Sequence, residues 1–456
     1  MSDADSRRIR IRVPALTRVE GEGALELDLR AGRIESLRLR IYEPPRYFEK
    51  FLEGRQAREL PDLVARICGI CPVAYQMTAV HGVERLFGCD PGPRVRRLRR
   101  LLYCGEWIES HALHIHLLAA PDFLGVTSVA ELARVAPDET RRGLALQQLG
   151  NRIIEVLGGR SVHPVGVILG GFGHAPDPGA MTALAAELET AAEQARELVA
   201  WCAGLPLPED AQDFVTVALR HPAEYPMNEG RICSSSGLDL DPTGFTEHVE
   251  EFQVPHSTAL HALLDGRPYL VGPLARLNLN LDRLHPEARA ALEATGLPWP
   301  SRNMFHSIVA RAVEIHQAVL EARELVLEDC ARTGNGEADG VYRQWRPRAG
   351  VAVWATEAPR GVLWHRYELD GHGRVVTARI VPPTAQNQAR IEEDLRTSLT
   401  AFGLDREPAE LRQRAETVIR NYDPCISCAT HFLRLDLERD GERIRVLAGA
   451  RAPGGG

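Results

Sequence analysis

Two short stretches carry most of the information in this chain: Arg66-Ile67-Cys68-Gly69-Ile70-Cys71-Pro72 and Asp423-Pro424-Cys425-Ile426-Ser427-Cys428-Ala429-Thr430-His431. Each holds a Cys-x-x-Cys pair, which sets two sulfurs on one tight turn, close enough to share an ion. Two such pairs make a four-thiolate donor set, and soft sulfur favours zinc, iron–sulfur or nickel over hard cations. Spacing alone leaves a structural zinc open beside a reactive metal centre. The pairs stand more than 350 residues apart, whereas a zinc ribbon gathers its ligands locally.

Between and around the pairs the pattern changes period. Residues 10–42 alternate apolar and polar, with Ala31-Gly32 between the two runs, which predicts an antiparallel hairpin. From 47 to 118 the spacing is helical, with breaks near Cys68 and at Gly92-Pro93. Amphipathic helices are expected over 182–203, 303–330, 388–401 and 408–420. Short β-like runs occupy 214–238, and 349–383 returns to β pattern around the turn Asp370-Gly371-His372-Gly373. The expected class is α+β, a mainly helical body with small antiparallel β elements near both ends.

The chain has 456 residues, 44% hydrophobic and 25% charged, enough to bury a large core and to exclude disorder as its main state. With 62 acidic against 54 basic residues and a net charge of −8, it lacks the basic face that nucleic acid requires. Of the basic residues only Lys50 is a lysine. No apolar run approaches the roughly 20 residues of a membrane span. Residues 1–13 carry no apolar stretch of a secretory signal, so a cytoplasmic location without direct membrane insertion is expected. Nine cysteines, an odd number, fit metal binding or catalysis better than a disulfide framework.

The settings of the two pairs resemble the two nickel-binding signatures of [NiFe] hydrogenase large subunits. Matching stretches follow in family order: Arg18-Val19-Glu20-Gly21, Phe48-Glu49 through Gly54-Arg55, Glu109-Ser110-His111, Gly170-Gly171-Phe172-Gly173, Glu357-Ala358-Pro359-Arg360-Gly361 and Pro383-Thr384-Ala385-Gln386-Asn387. The resemblance runs from about residue 12 to 434. It is strongest to the cytoplasmic, cofactor-linked branch that includes the sulfhydrogenase α subunits and the bidirectional enzymes.

The resemblance implies the large-subunit fold, one composite domain over 1–434, and reversible heterolytic cleavage of H2 at a nickel–iron centre. Cys68 and Cys425 would be terminal nickel ligands, and Cys71 and Cys428 would bridge nickel to an iron that carries cyanide and carbon monoxide. The first proton acceptor would be the thiolate of Cys425 or Cys68, with Arg360 competing for the role. Arg360 and Thr384 would serve the cyanides, Asp423 would orient Arg360, and Glu20 would relay the proton outward. Glu49, His431 and the Ile380 carbonyl would hold magnesium or another divalent ion. Ser110 and His111 would surround the centre, while His114 and His116 would only pack. Tyr75 stands where the family usually has a histidine that hydrogen-bonds a bridging sulfur. Residues 435–456 are either a tail removed by a maturation protease or a retained hairpin. Implied partners are a small iron–sulfur subunit and flavin and nicotinamide diaphorase subunits. Two other functions compete: a non-catalytic scaffold like the quinone-site subunit of complex I, which lacks the four cysteines, and a zinc-stabilised structural protein.

Overall fold

The structure is a computed structural model that describes residues 8–336, 340–430, 434–439 and 442–447. Strands β1 (Arg8–Val13), β2 (Gly23–Arg30) and β3 (Arg33–Ile41) form an antiparallel sheet in that order. Leu25 pairs with Leu39, and the period of two sends Ile9, Ile11, Val13, Leu25, Leu27, Leu29, Leu37, Leu39 and Ile41 into the core. The expected β2–β3 turn is present. Both central residues, Ala31 and Gly32, have positive φ (48° and 70°), the geometry that matches the strand twist of a two-residue hairpin.

Helices α1 (Pro72–Phe87) and α2 (Pro93–Leu113) follow the two breaks seen in the sequence. The axis of α2 continues as a π-helical turn, His114–Ala119, a distortion often found beside functional sites. Helices α3 (Pro137–Gly158), α4 (Pro178–Ala203) and α5 (Ser307–Gly334) complete a bundle in which α2 lies against both α3 and α5. Helix α3 went unread in the sequence because Gly143 and Gly150 interrupt its apolar stripe. Those glycines are packing devices. A β-carbon at Gly150 would sit 2.5 Å from the Glu109 nitrogen and the Gly105 oxygen on α2, and one at Gly143 would enter the His116 ring. Gly150→Ala must therefore push α3 off α2. The expected loss is about 1–3 kcal/mol of stability, read as a lower denaturant midpoint; an unchanged midpoint would contradict the tight packing.

A mixed sheet lies in the middle of the chain, where the sequence predicts short β-like runs over 214–238. Its strands β4 (Val215–Arg220), β5 (Arg231–Ser234), β6 (Asp239–Leu240) and β7 (Tyr269–Leu270) are ordered β7-β4-β5-β6, with β7 parallel to β4. The meander β8 (Gly350–Ala358), β9 (Gly361–Leu369) and β10 (Val375–Val381) packs with it around Val217, Leu219, Trp364 and Val381. Pairing of Ala358 with Gly361 leaves Pro359-Arg360 as the β8–β9 turn. Helices α6 (Pro383–Phe402) and α7 (Pro408–Asn421) close the body. Strands β11 (Arg434–Arg439) and β12 (Glu442–Leu447) then pair antiparallel, Arg434 with Leu447. Among the described residues no helix is long and apolar enough to cross a membrane.

Candidate metal centre

The two cysteine pairs meet inside the main core, although a whole chain separates them. Cys425 Sγ lies 3.4 Å from Cys68 Sγ and 2.7 Å from Cys428 Sγ, and Cys71 Sγ lies 3.6 Å from Cys428 Sγ. All four sulfurs fall within 4.8 Å of one another and none is in a disulfide. Cys71 caps α1, and Cys425 caps the short helix Ile426–Ala429, so the positive ends of both helices face the sulfurs. The amides of Ile70 and Cys71 donate to Cys68 Sγ at 3.3 and 3.2 Å.

Electrostatics divide the thiols. Burial opposes ionisation of Cys68, yet hydrogen bonds from the Cys425, Cys428 and Cys71 thiols, and then the Arg360 charge, hold it well below the usual range. Burial, followed by the neighbouring thiol contacts, pushes Cys425 well above it. Four sulfurs this close release all their protons only when a cation takes their place. The donor set is soft, buried and closed, which fits nickel, iron or zinc and excludes magnesium.

Arg360 projects from the β8–β9 turn toward Asp423. Its Nε donates to the Asp423 carbonyl at 2.8 Å, Nη2 to Asp423 Oδ1 at 3.0 Å, and Nη1 to Ser110 Oγ at 3.4 Å. Burial would raise the Asp423 pKa, but Arg360, then His114 and Arg311, bring it below the ordinary value. Thr384, in the first turn of α6, accepts from the Cys425 amide at 3.1 Å through Oγ1, which leaves its hydroxyl proton to donate elsewhere. Glu20 forms a β-bridge with Cys425. Its carbonyl accepts from the Ile426 amide and its Oε2 from the Ser427 amide, both at 3.0 Å. Burial and then the Cys68 charge raise the Glu20 pKa. Cys68, Cys71, Cys425, Cys428, Arg360, Asp423, Thr384 and Glu20 thus converge on one place.

Glu49 belongs to a separate place. It is buried, accepts from the Ile380 amide at 2.7 Å through Oε1, and is pushed up to about 8 by burial. His431 lies outside the described residues. Ile70 is half-buried against the main core, and Leu118, in the π turn, accepts from Arg18 Nη1 at 2.9 Å through its carbonyl. The buried Tyr75 hydroxyl has no hydrogen-bond partner among the described residues. Burial and then the Cys428 charge raise the Tyr75 pKa well above normal, so the hydroxyl stays protonated and neutral.

His114 does more than pack. Its Nδ1 accepts from Arg311 Nε at 2.8 Å, which requires the Nε2–H tautomer that donates to the Arg420 carbonyl, also at 2.8 Å. Arg311 in turn lies 3.8 Å from Asp423 Oδ2. His116 does pack, stacked on Trp201.

Three further supports were not read from the sequence. Arg46 Nη2 donates to the Ile67 carbonyl at 2.6 Å and also to the Ser427 carbonyl, tying the two cysteine segments together. Glu106 of α2 accepts the first amides of α1, from Val73 at 2.6 Å and Ala74 at 3.0 Å, and so fixes the turn that holds Cys71. Arg276, fully buried, forks onto Glu314 with two bonds of 2.7 Å and reaches Glu357 Oε2 at 2.7 Å. It also donates to the carbonyls of Ala358 and Pro359, anchoring the turn that carries Arg360. His111 Nε2 lies 3.0 Å from Glu314 Oε2, on the same network.

The sequence matches the nickel-dependent hydrogenase family over residues 46–142 and 259–431. It is 34% identical to the sulfhydrogenase 1 subunit alpha of Pyrococcus furiosus, covering 93% of this chain and 98% of that one. The fold is similar to the crystal structure of an NAD+-reducing [NiFe]-hydrogenase in the H2-reduced state, with a TM-score of 0.82 and 28% identity, covering 94% of this chain and all of the other. The [NiFeSe]-hydrogenase of Dm. baculatum shares the fold at a TM-score of 0.77 and 20% identity, over 93% of this chain and all of that one.

Proposed function

This chain belongs to the nickel-dependent hydrogenase family, and we propose that it is the catalytic subunit of a cytoplasmic [NiFe] enzyme linked to a nicotinamide acceptor. It is an oxidoreductase acting on H2. The observation that carries the fuller reading is the meeting of four buried sulfurs beneath the Arg360–Asp423 pair. A nickel–iron centre bound there supplies heterolytic cleavage of H2, separating a proton from an electron pair. Cys68 and Cys425 would be ligands of nickel alone, and Cys71 and Cys428 would be shared with iron. Arg360, with guanidinium N–H groups beyond its three bonds, and Thr384, with its spare hydroxyl proton, supply the donors that cyanide ligands need in a buried site. Asp423 keeps Arg360 in place. The thiolate of Cys425 or Cys68 takes the proton first, with Arg360 as the competing base, and Glu20 carries it away.

Arg46 and Glu106 hold the two cysteine turns in register. Arg46→Met should leave a folded chain with markedly less nickel per subunit, because outer supports of a metal site typically cost about 10–100-fold in affinity. Full nickel occupancy in that variant would remove Arg46 from the role.

Apart from this centre, Glu49, the Ile380 carbonyl and His431 would hold magnesium or another divalent ion. Similarity to a sulfhydrogenase alpha subunit and to an NAD+-reducing [NiFe]-hydrogenase supports electrons leaving through a small iron–sulfur subunit and then flavin and nicotinamide subunits. The body over 1–434 acts as one domain, and a maturation protease removes the tail, 435–456 by cleaving after Arg434 or 432–456 by cleaving after His431. Intact mass of nickel-loaded protein tests the cleavage, and a mass that includes Gly456 would show the tail retained. The function itself is tested by metal analysis with infrared spectroscopy. Nickel and iron together with CO and cyanide bands support it; zinc alone, or no transition metal, would overturn it.

A further inference from the structure

A second group of metal-ligand side chains lies at the surface, where the strand His261–Leu264 and the loop before it meet α6 and β3. Glu392 of α6 is its centre. Its Oε1 accepts from the Leu39 amide of β3 at 2.9 Å and lies 2.8 Å from His256 Nε2. Its Oε2 lies 3.9 Å from His261 Nε2. One donor atom from each of the three residues falls within 4.8 Å of the others.

The condition of His261 is the informative one. It is only 1% exposed, and among the described residues neither ring nitrogen makes a hydrogen bond of good geometry, the backbone of Ala259 giving the ring no more than a weak contact. A buried imidazole with both nitrogens unsatisfied costs free energy, so such a group calls for a partner. Burial lowers its pKa to about 4, which keeps the ring neutral and able to ligate. His256 and Glu392 are partly open, with 19% and 17% side-chain exposure. A cavity of roughly 340 Å³ opens on the side of His261, Glu392 and Arg396, and another borders His256. Ion and water thus have access. Of the nearby cations, Arg40 is paired with Glu26 at 2.7 Å, and Arg396 donates to the Leu37 carbonyl at 3.4 Å.

We propose that His256, His261 and Glu392 form a second metal site, which binds a divalent transition ion of the zinc type and leaves its remaining position to water. Zinc bonds of 2.0–2.2 Å to nitrogen and oxygen set tetrahedral ligand atoms about 3.3 Å apart. His256 Nε2 stands 2.8 Å from Glu392 Oε1 and His261 Nε2 3.9 Å from its Oε2, and one donor atom of each residue lies within 4.8 Å of the others, so side-chain shifts on the order of 1 Å seat the ion. Two imidazoles and a carboxylate suit zinc-like ions better than magnesium. The bound ion clips the segment of 256–261 to α6, the helix whose first turn carries Thr384, and through Leu39 to β3. The site is distinct from the four-cysteine centre.

The test is titration of the full-length purified protein, its cysteine centre filled, with cobalt(II) and then zinc(II). One equivalent of cobalt should show visible ligand-field bands without a sulfur-to-cobalt charge-transfer band, and zinc should displace it. His256→Ala, at a half-buried loop position, and Glu392→Gln, which keeps an acceptor for Leu39, should each weaken binding by at least about 100-fold. Zinc should raise the thermal midpoint of the wild type and not of His256→Ala. Failure of cobalt to bind at millimolar concentration, equal binding in both variants, or a sulfur charge-transfer band would each overturn the site and leave a plain histidine–glutamate pair.

Discussion

Cys425→Ser is expected to yield a folded chain that binds little nickel and, for want of the metal, oxidises H2 at less than about a thousandth of the wild-type rate per chain. The serine fits the space, because its oxygen is smaller than the sulfur of the fully buried cysteine it replaces. What changes is the donor. A hydroxyl is hard and keeps its proton where a thiol beside a soft cation gives its own up. It is also shorter, and the site has little slack: Cys425 Sγ sits 2.7 Å from Cys428 Sγ and 3.4 Å from Cys68 Sγ. Cys68→Ser should behave alike, because the amides of Ile70 and Cys71 are aimed at its sulfur. The measurements are nickel per chain and H2-dependent dye reduction. Near wild-type turnover with nickel bound would show that these sulfurs do not carry the metal.

What could be read in advance, and what could not, follows from how far each interaction reaches. The cysteine pairs are a local pattern in themselves, while Arg360 with Asp423, Thr384 and Glu20 lie in short contiguous motifs that only the family resemblance singles out. The β2–β3 hairpin is similarly local, set by a period of two and one turn. The charged supports are different. Arg46 joins Ile67 to Ser427, Glu106 on one helix caps another, and Arg276 reaches Glu314, Glu357 and two carbonyls. In the sequence these are ordinary charges on helices or loops, in a chain where nearly every basic residue is arginine. Only tertiary packing shows that they are buried and aimed at backbone. For the same reason His114 read as packing: its role depends on Arg311, which lies on another helix. Helix α3 was hidden by the glycines that let it approach α2, a feature of the pair of helices that neither displays alone.

Glu20→Gln is expected to leave the metals in place and to stop the proton from leaving. Glutamine keeps the shape of the side chain and an oxygen to accept from the Ser427 amide, and the β-bridge to Cys425 is made by backbone, so the local structure survives. The lost property is titration. Burial and the Cys68 charge raise the Glu20 pKa above the ordinary carboxylate value, so the carboxyl holds a proton at a pH where an exposed glutamate would have released it. A group poised closer to the working pH is suited to pass protons on. The next carboxylate is near: Ser427 Oγ donates to Glu43 Oε1 at 2.6 Å, and Ser427 also touches Glu20. An amide cannot take part in that transfer, and removing a positioned acid–base group typically costs about 10²–10⁴-fold. H2 oxidation should fall by that order, while nickel and iron per chain stay at the wild-type level. Isotope experiments separate chemistry from exit. Conversion between para and ortho hydrogen, which needs only cleavage and re-formation at the centre, should persist. Exchange of H2 with D2O, which needs the proton to reach solvent, should collapse. If both fall together, Glu20 supports the structure of the centre and the proton leaves by another residue.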